Sequence, residues 1–287
     1  MKPVSIGIAG IGNVGEEVVR QLLKSEDLNK KFVLGGISYK SKAKKRSSFL
    51  KKIKFYNSPL KLVKDNNIDL IIELIGGDSG IAKELAFSSI TYKKPFITAN
   101  KALIAKHGIE LSNFSKKNNT FIGFEAAIAG GIPIVKVIKE SLISNKIEQI
   151  TGILNGTSNY LLDEIEKKSL NFETVLKKAQ QLGYAEKDPT FDVEGIDAAH
   201  KISILSALVF NKMPDTDLMH VKGISKITLD DILFAKKFGY KIKLLAISNH
   251  KNNFECSVEP WMISKNHSLS NIQGVLNAVE IISDLAG

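Results

Sequence analysis

Apolar residues in the first 125 positions come in two rhythms that alternate along the chain. Residues 4–10 and 68–75 are short, nearly continuous apolar runs, as expected of strands buried on both faces. Along residues 13–24 the apolar positions instead fall at Val14, Val18, Val19, Leu22 and Leu23, one face of a helix. Read this way, the first part has strands at 4–10, 32–38, 68–75 and 95–98, with helices at 13–24 and near 81–92. Such alternation predicts an α/β layer with a parallel sheet covered on both sides. After Gly130-Gly131-Ile132-Pro133 the rhythm changes. A strand at 147–154 leads into a mostly helical stretch to about 211, then strands at 241–248, 254–260 and 277–282. Strand and helix no longer alternate there, so this part reads as α+β.

Composition narrows the class. With 44% hydrophobic and 24% charged residues, the 287-residue chain can bury a core and is not a disordered segment. Its apolar runs fall short of the ~18–20 residues a membrane span needs. Glu16 and Glu17 interrupt any leader-like start. Cys256 is the only cysteine, which excludes an internal disulfide and fits a reducing cytoplasm. A net charge of +10 raises the question of nucleic acid, but the lysines are scattered. Only residues 40–54 concentrate them, eight basic residues without an acid. No aromatic platform, helix-turn-helix or zinc pattern accompanies them, so neither nucleic acid nor a membrane is an expected partner.

One motif carries more. Gly10, Gly12 and Gly15 in Gly10-Ile11-Gly12-Asn13-Val14-Gly15 fit G-x-G-x-x-G, set between the first strand and the first helix. The three glycines permit a tight turn, close backbone approach to a pyrophosphate and close helix–strand packing. The helix N-terminus beyond them offers free N–H groups to phosphate. The expected architecture is therefore a Rossmann-type dinucleotide domain at 1–130, with a return strand at about 276–287, and an α+β substrate domain at 131–275. The second strand ends Ile37-Ser38-Tyr39-Lys40 without the acid that an NAD ribose usually meets. Ser38, Lys40 and the basic loop 42–46 suit a 2′-phosphate, hence NADP, with NAD as the alternative.

Two segments point to chemistry. Thr98-Ala99-Asn100-Lys101 ends a parallel strand, at the sheet edge where ligands bind. Asp192-Val193-Glu194-Gly195-Ile196-Asp197-Ala198-Ala199-His200-Lys201 opens a helix, with Asp197 and Lys201 four apart on one face among Ile196, Ala199, Ile202 and Leu205. A lysine on an inward face is costly unless paired or functional. Hydride addition to a carbonyl creates an alkoxide that needs a proton and stabilisation, and a lysine supplies both.

Together with Ile150-Thr151-Gly152-Ile153-Leu154-Asn155-Gly156-Thr157-Ser158-Asn159-Tyr160 and Leu182-Gly183-Tyr184-Ala185-Glu186, these segments resemble homoserine dehydrogenase over nearly the whole chain. The resemblance implies reversible reduction of L-aspartate 4-semialdehyde to L-homoserine with NAD(P)H, in threonine, methionine and isoleucine synthesis. It makes Lys201 the proton donor, Asp197 its acidic partner and Lys101 a second lysine at substrate and cofactor. Glu186 would hold the substrate ammonium, with Asp192, Gly156 and Thr157 completing the pocket. The cofactor would meet Gly10, Ile11, Gly12, Asn13, Val14, Gly15, Lys40, Ile75, Gly76, Ala99 and Lys101. Glu125-Ala126-Ala127-Ile128-Ala129-Gly130-Gly131-Ile132 resembles the family's monovalent-cation loop, with sodium held by Glu125 and the carbonyls of Ile128, Gly130 and Ile132. A homodimer through the substrate-domain sheet is implied as well. Family members continue beyond the strand at 277–282 into a Gly-rich turn and a helix. The resemblance thus predicts a truncated chain, less stable than a complete catalytic one and open at the nicotinamide, without a regulatory domain.

The five histidines show no ligand spacing, so no catalytic metal is expected, and His200 is placed beside the active helix. A thioester-forming semialdehyde dehydrogenase would need a nucleophilic cysteine, and Cys256 lies in a predicted strand without a basic neighbour. A cofactor-binding protein that has lost catalysis is the other alternative, and Lys101, Asp197 and Lys201 argue against it.

Overall fold

The computed structural model describes residues 2–40, 47–215, 218–251 and 253–287. The chain divides into two compact units, Met1–Gly130 and Gly131–Gly287.

In the first unit the strands are β1 (Val4–Ala9), β2 (Phe32–Ser38), β3 (Phe55–Tyr56), β4 (Leu70–Glu73), β5 (Phe96–Thr98) and β6 (Ile122–Gly123). They form a parallel sheet in the order β3-β2-β1-β4-β5-β6. The order reverses between β1 and β4, and ligands of open α/β sheets bind in the crevice at such a reversal, beyond the strand C-termini. The helices are α1 (Asn13–Lys24), α2 (Glu26–Lys31), α3 (Pro59–Lys64), α4 (Ile81–Thr91), α5 (Lys101–Lys117) and α6 (Glu125–Ile128). Ile6, Ile8, Val19 and Ile37 pack one part of the core, and Ile71, Leu85, Ile90, Phe96, Leu103 and Leu111 are fully buried. Ser25, Ser58 and Asn100 cap α2, α3 and α5 by accepting from Leu28, Leu60 and Leu103 N–H.

The run at 68–75 yields a shorter strand than its apolarity predicts. Ile75 and Gly76 turn their N–H groups to the carboxylate of Glu73, and Gly76 and Gly77 have φ of +85° and +83°, so the chain leaves the ladder after Glu73.

The second unit begins with α7 (Ile134–Lys136) and β7 (Ile147–Ile153). The helical stretch resolves into α8 (Gly156–Lys168), α9 (Phe172–Gln181), α10 (Thr190–Val193) and α11 (Ile196–Phe210). Then follow β8 (His220–Val221), α12 (Leu229–Lys237), β9 (Tyr240–Asn249), β10 (Glu255–Ser264) and β11 (Ala278–Ser283). The sheet order is β11-β7-β9-β10-β8, antiparallel except between β10 and β8. The return strand expected at about 276–287 in the dinucleotide domain is corrected by this pairing. β11 lies against β7 in the second sheet, with Ala278 opposite Ile153 and Ile281 opposite Ile150. An apolar strand goes to whichever edge its register and neighbouring turn present, and the sequence pattern does not name that edge.

β10 also runs past Pro260, where the sequence reading ends it. Pro260 pairs with Leu244 of β9, whereas β8 reaches only Ser257 and Val258, so the missing N–H falls on an open edge. Among the described residues no helix is long and apolar enough to cross a membrane.

Candidate active site

Each unit carries its own part of the expected site. In the first, the glycine loop has the geometry that its spacing predicts. Gly10 has φ +99° and donates its N–H to Ser38 O at 2.9 Å, and a Cβ there would lie 2.4 Å from the Leu74 carbonyl. On Gly15 a Cβ would lie 2.0 Å from Gly10 O, so only glycine lets α1 start this close to β1. A Cβ on Gly12 would meet nothing within 4 Å, which leaves open space before the α1 N-terminus. No side chain caps that terminus. Unused N–H groups facing open space fit a pyrophosphate. Ser38 ends β2 buried, and Lys40 follows exposed. The basic loop 42–46 assigned to the 2′-phosphate falls outside the described residues but for its approach at Lys40.

Beside this loop lies a network that the sequence reading missed. Glu73 is fully buried at the end of β4. Its Oε1 accepts from Ile75 N at 2.6 Å and Gly76 N at 3.1 Å, and its Oε2 accepts from Thr98 Oγ1 at 2.5 Å. Thr98 Oγ1 accepts in turn from Asn100 N at 2.9 Å. The Asn100 side chain donates to Gly77 O at 2.6 Å and caps α5. One buried acid therefore fixes both the loop bearing Ile75 and Gly76 and the turn bearing Ala99 and Lys101. Its sequence signal was an acid inside the apolar run Leu70-Ile71-Ile72-Glu73-Leu74-Ile75, which burial penalises unless it is fully bonded. Lys101 opens α5, half-buried.

In the second unit, Lys201 and Asp197 lie one turn apart on α11, Nζ to Oδ2 at 2.7 Å. Asp197 is 4% exposed, and Lys201 Nζ also donates to Leu154 O at 2.7 Å. Asn155, which caps α8, joins this pair to the rest. Its Nδ2 donates to Asp197 Oδ2 at 3.1 Å and Asp192 Oδ1 at 2.7 Å, while its Oδ1 accepts from Ser158 N at 2.8 Å. Thr157 Oγ1 lies 3.0 Å from Asp192 Oδ2 and 2.8 Å from Tyr184 O. Ser158 Oγ donates to Asp192 O at 2.8 Å. The structure thus brings Gly156, Thr157, Asp192, Asp197 and Lys201 together around Asn155. Sequence reasoning had quoted Asn155 without giving it a role, although a helix-capping Asn keeps an amide free to reach acids.

Glu186 stands apart. Its side chain is exposed on the loop after α9, and no hydrogen bond ties its carboxylate to Asp192 or Lys201 among the described residues. The placement of His200 beside the helix is corrected: it lies within α11, its ring edge-on to Phe191 at 5.5 Å. Cys256 is no thiolate nucleophile, because burial pushes its thiol up to about 11. In the cation loop, Glu125 opens α6 exposed, and Ile132 O accepts from Ile134 N at 2.8 Å.

Two family profiles divide the chain between them. "Homoserine dehydrogenase, NAD binding domain" matches residues 10–125, and "Homoserine dehydrogenase" matches residues 133–287. This chain belongs to the homoserine dehydrogenase family. It is 41% identical to homoserine dehydrogenase of Neisseria gonorrhoeae over 293 residues, covering 100% of this chain and 67% of that protein. With the Helicobacter pylori enzyme the identity is 43%, over 100% of this chain and 68% of the relative. The crystal structure of a homoserine dehydrogenase from Thiobacillus denitrificans superposes with TM-score 0.91 at 39% identity, covering 100% of this chain and 68% of that one. That of S. aureus at pH 7.5 gives 0.88 at 35%, covering 100% and 70%. As a homoserine dehydrogenase the chain is an NAD(P)-dependent oxidoreductase acting at the homoserine step, built on a six-stranded parallel sheet and a second, mixed sheet.

Proposed function

We propose that this homoserine dehydrogenase reduces L-aspartate 4-semialdehyde to L-homoserine reversibly, with NADP as the preferred cofactor, in threonine, methionine and isoleucine synthesis. The observation that carries this reading is the Lys201–Asp197–Asn155–Asp192 cluster, in a chain whose glycine loop is open in front of an uncapped helix. A bound dihydronicotinamide would supply the hydride. Lys201 gives the proton to the aldehyde oxygen, with Asp197 and Leu154 O holding its ammonium in place. Asp192 and the start of α8 at Gly156 and Thr157 offer polar partners to the substrate. Exposed Glu186 receives the substrate's ammonium, and Lys101 serves as the second lysine.

Nucleotide contacts fall to Gly10, Ile11, Gly12, Asn13, Val14 and Gly15, to Ile75, Gly76 and Ala99, and to Lys40 for the 2′-phosphate. An acid-free end of β2 followed by Lys40 supports NADP over NAD. Sodium is the proposed cation, because Glu125 and the carbonyls of Ile128, Gly130 and Ile132 are a hard, all-oxygen donor set. A cytoplasmic homodimer is the proposed state, its dimeric part supported by exposed Phe234 on α12, Phe238 just after it, and Trp261 and Met262 on β10. Steady-state oxidation of L-homoserine with NADP and with NAD tests the proposal. Turnover that is more efficient with NADP upholds it, more efficient turnover with NAD refutes the cofactor preference, and no turnover with either dinucleotide refutes the function.

A further inference from the structure

Lys243 lies in the middle of β9 with 2% of its surface exposed, and the proposed chemistry does not use it. Burial pushes its ammonium down to about 8, so the fold holds a charge there against desolvation. An apolar side chain of similar length would fill that space without the penalty. What an ammonium adds is donors, and their acceptors are specific. Nζ donates to Asn159 Oδ1 at 2.8 Å and to Ile272 O at 2.5 Å.

Asn159 is itself buried, on α8. Its Nδ2 lies within hydrogen-bond reach of three carbonyls, those of Ile272 at 3.2 Å, Gly274 at 3.0 Å and Leu276 at 3.2 Å. One turn further along α8, Asp163 Oδ2 accepts from Gly274 N at 2.9 Å and from Lys167 Nζ at 2.8 Å, and Lys167 reaches Gln273 Oε1 at 3.0 Å. Residues 272–276 are thus a strap held by its main chain, with Val275 and Leu276 turned out, 44% and 61% exposed. The strap presses on the start of α8. A Cβ on Gly156 would lie 2.7 Å from Val275 O.

We propose that Lys243 is a positioning residue, which through Asn159 seats the strap 272–276 on the first turn of α8 and so fixes Gly156 and Thr157 for the substrate. This rests on the proposed function, which gives Gly156 and Thr157 to the substrate, and adds a remote anchor for them. The route is short: β9 ammonium, α8 amide, strap carbonyls, helix start.

Lys243→Met keeps the length and removes the donors. Asn159→Asp keeps an acceptor for Lys243, removes the donors to the strap, and serves should the first variant not fold. Both are compared with the wild type in homoserine oxidation and in amide hydrogen exchange of 272–276. The expected result is a rise in KM for homoserine of about tenfold, the size of one lost charge-assisted bond. kcat should stay within about threefold, KM for NADP should be unchanged, and the strap amides should exchange faster. Unchanged homoserine KM overturns the proposal, and so does a raised KM with unchanged strap exchange. A wild type inactive toward homoserine refutes the function while the exchange measurement still judges the strap.

Discussion

Lys201 Nζ sits 2.7 Å from Asp197 Oδ2 and 2.7 Å from Leu154 O, two oxygens that together fix an ammonium. An ammonium has three hydrogens, so this arrangement commits two and leaves one for a substrate oxygen. Lys201→Ala should therefore lower turnover by about 10² or more, the usual range for general acid catalysis, while NADP affinity stays nearly intact. Single-turnover kinetics and cofactor titration check it. Turnover within a few-fold of wild type removes Lys201 from the proton transfer.

Asn155 does two jobs that substitution can separate. Asn155→Ser keeps a capping oxygen for α8 but has no amide to span Asp192 and Asp197. The cap itself changes little, since Ser and Asn cap about equally well, but buried Asp197 loses a donor, so stability should fall by about 1–3 kcal/mol. Homoserine turnover under conditions where the variant stays folded should fall at least about tenfold. Urea unfolding measured beside the assay distinguishes this from a folding defect. If turnover follows stability, the bridge has no role of its own.

Thr98→Val swaps the hydroxyl that joins Glu73 to Asn100 N for a methyl of the same shape. Two buried groups then lose their partner, at about 1–3 kcal/mol of stability. Because the same network holds the Ile75–Gly76 turn, KM for NADP should rise more than KM for homoserine. Equal changes in both would confine Glu73 and Thr98 to the fold alone.

Cofactor choice is read by titrating NADP and NAD into wild type and Lys40→Ala. NADP should bind tighter to wild type, and the substitution should narrow the gap. Tighter NAD binding that the substitution leaves unchanged removes Lys40 from the cofactor site.

Stability should respond to pH through Lys243. Its ammonium is displaced from 10.5 to about 8 in the fold by burial, offset in part by Asp163 and Glu166 and reinforced by Lys241 and Lys167. Below about 8 both folded and unfolded chains carry the proton, and the folded state bears the full cost of the buried charge. Between about 8 and 10.5 the unfolded chain binds more protons, so stability rises with pH, by about 3 kcal/mol across the window. Unfolding of wild type against Lys243→Met at pH 7, 8.5 and 10 isolates this term. A difference flat with pH would show that Lys243 titrates normally.

Much of the first sheet was legible because its strands are buried on both faces, so Val4–Ala9 and Phe32–Ser38 announce themselves by apolar runs. β3 and β6 have two residues each, too few to set a period. α5 escaped because Gly108 and the polar residues at 112–113 and 115–118 blur its face, and its clearest signal was the Asn100 cap. The glycine loop and the Asp197–Lys201 pair were readable because both are local, spanning six and five residues. Asn155 was not, because its partners Asp192 and Asp197 stand 37 and 42 positions away and only the fold brings them in. The anchoring of residues 272–276 by Lys243 was hidden for the same reason.

The strand order β11-β7-β9-β10-β8 has a consequence for how the protein is made. β7 leaves the ribosome early, yet its neighbours β9 and β11 begin only at Tyr240 and Ala278. At about 5–20 residues per second, both its edges stay unpaired for several seconds or longer while the intervening chain is translated. Helices α8 to α11 arise from local contacts in that interval, and α11 can cover the face of β7 that carries Ile150 before any strand reaches it. The second unit then closes around a strand that has been waiting, and slow translation between β7 and β9 prolongs the period in which it is exposed to other chains.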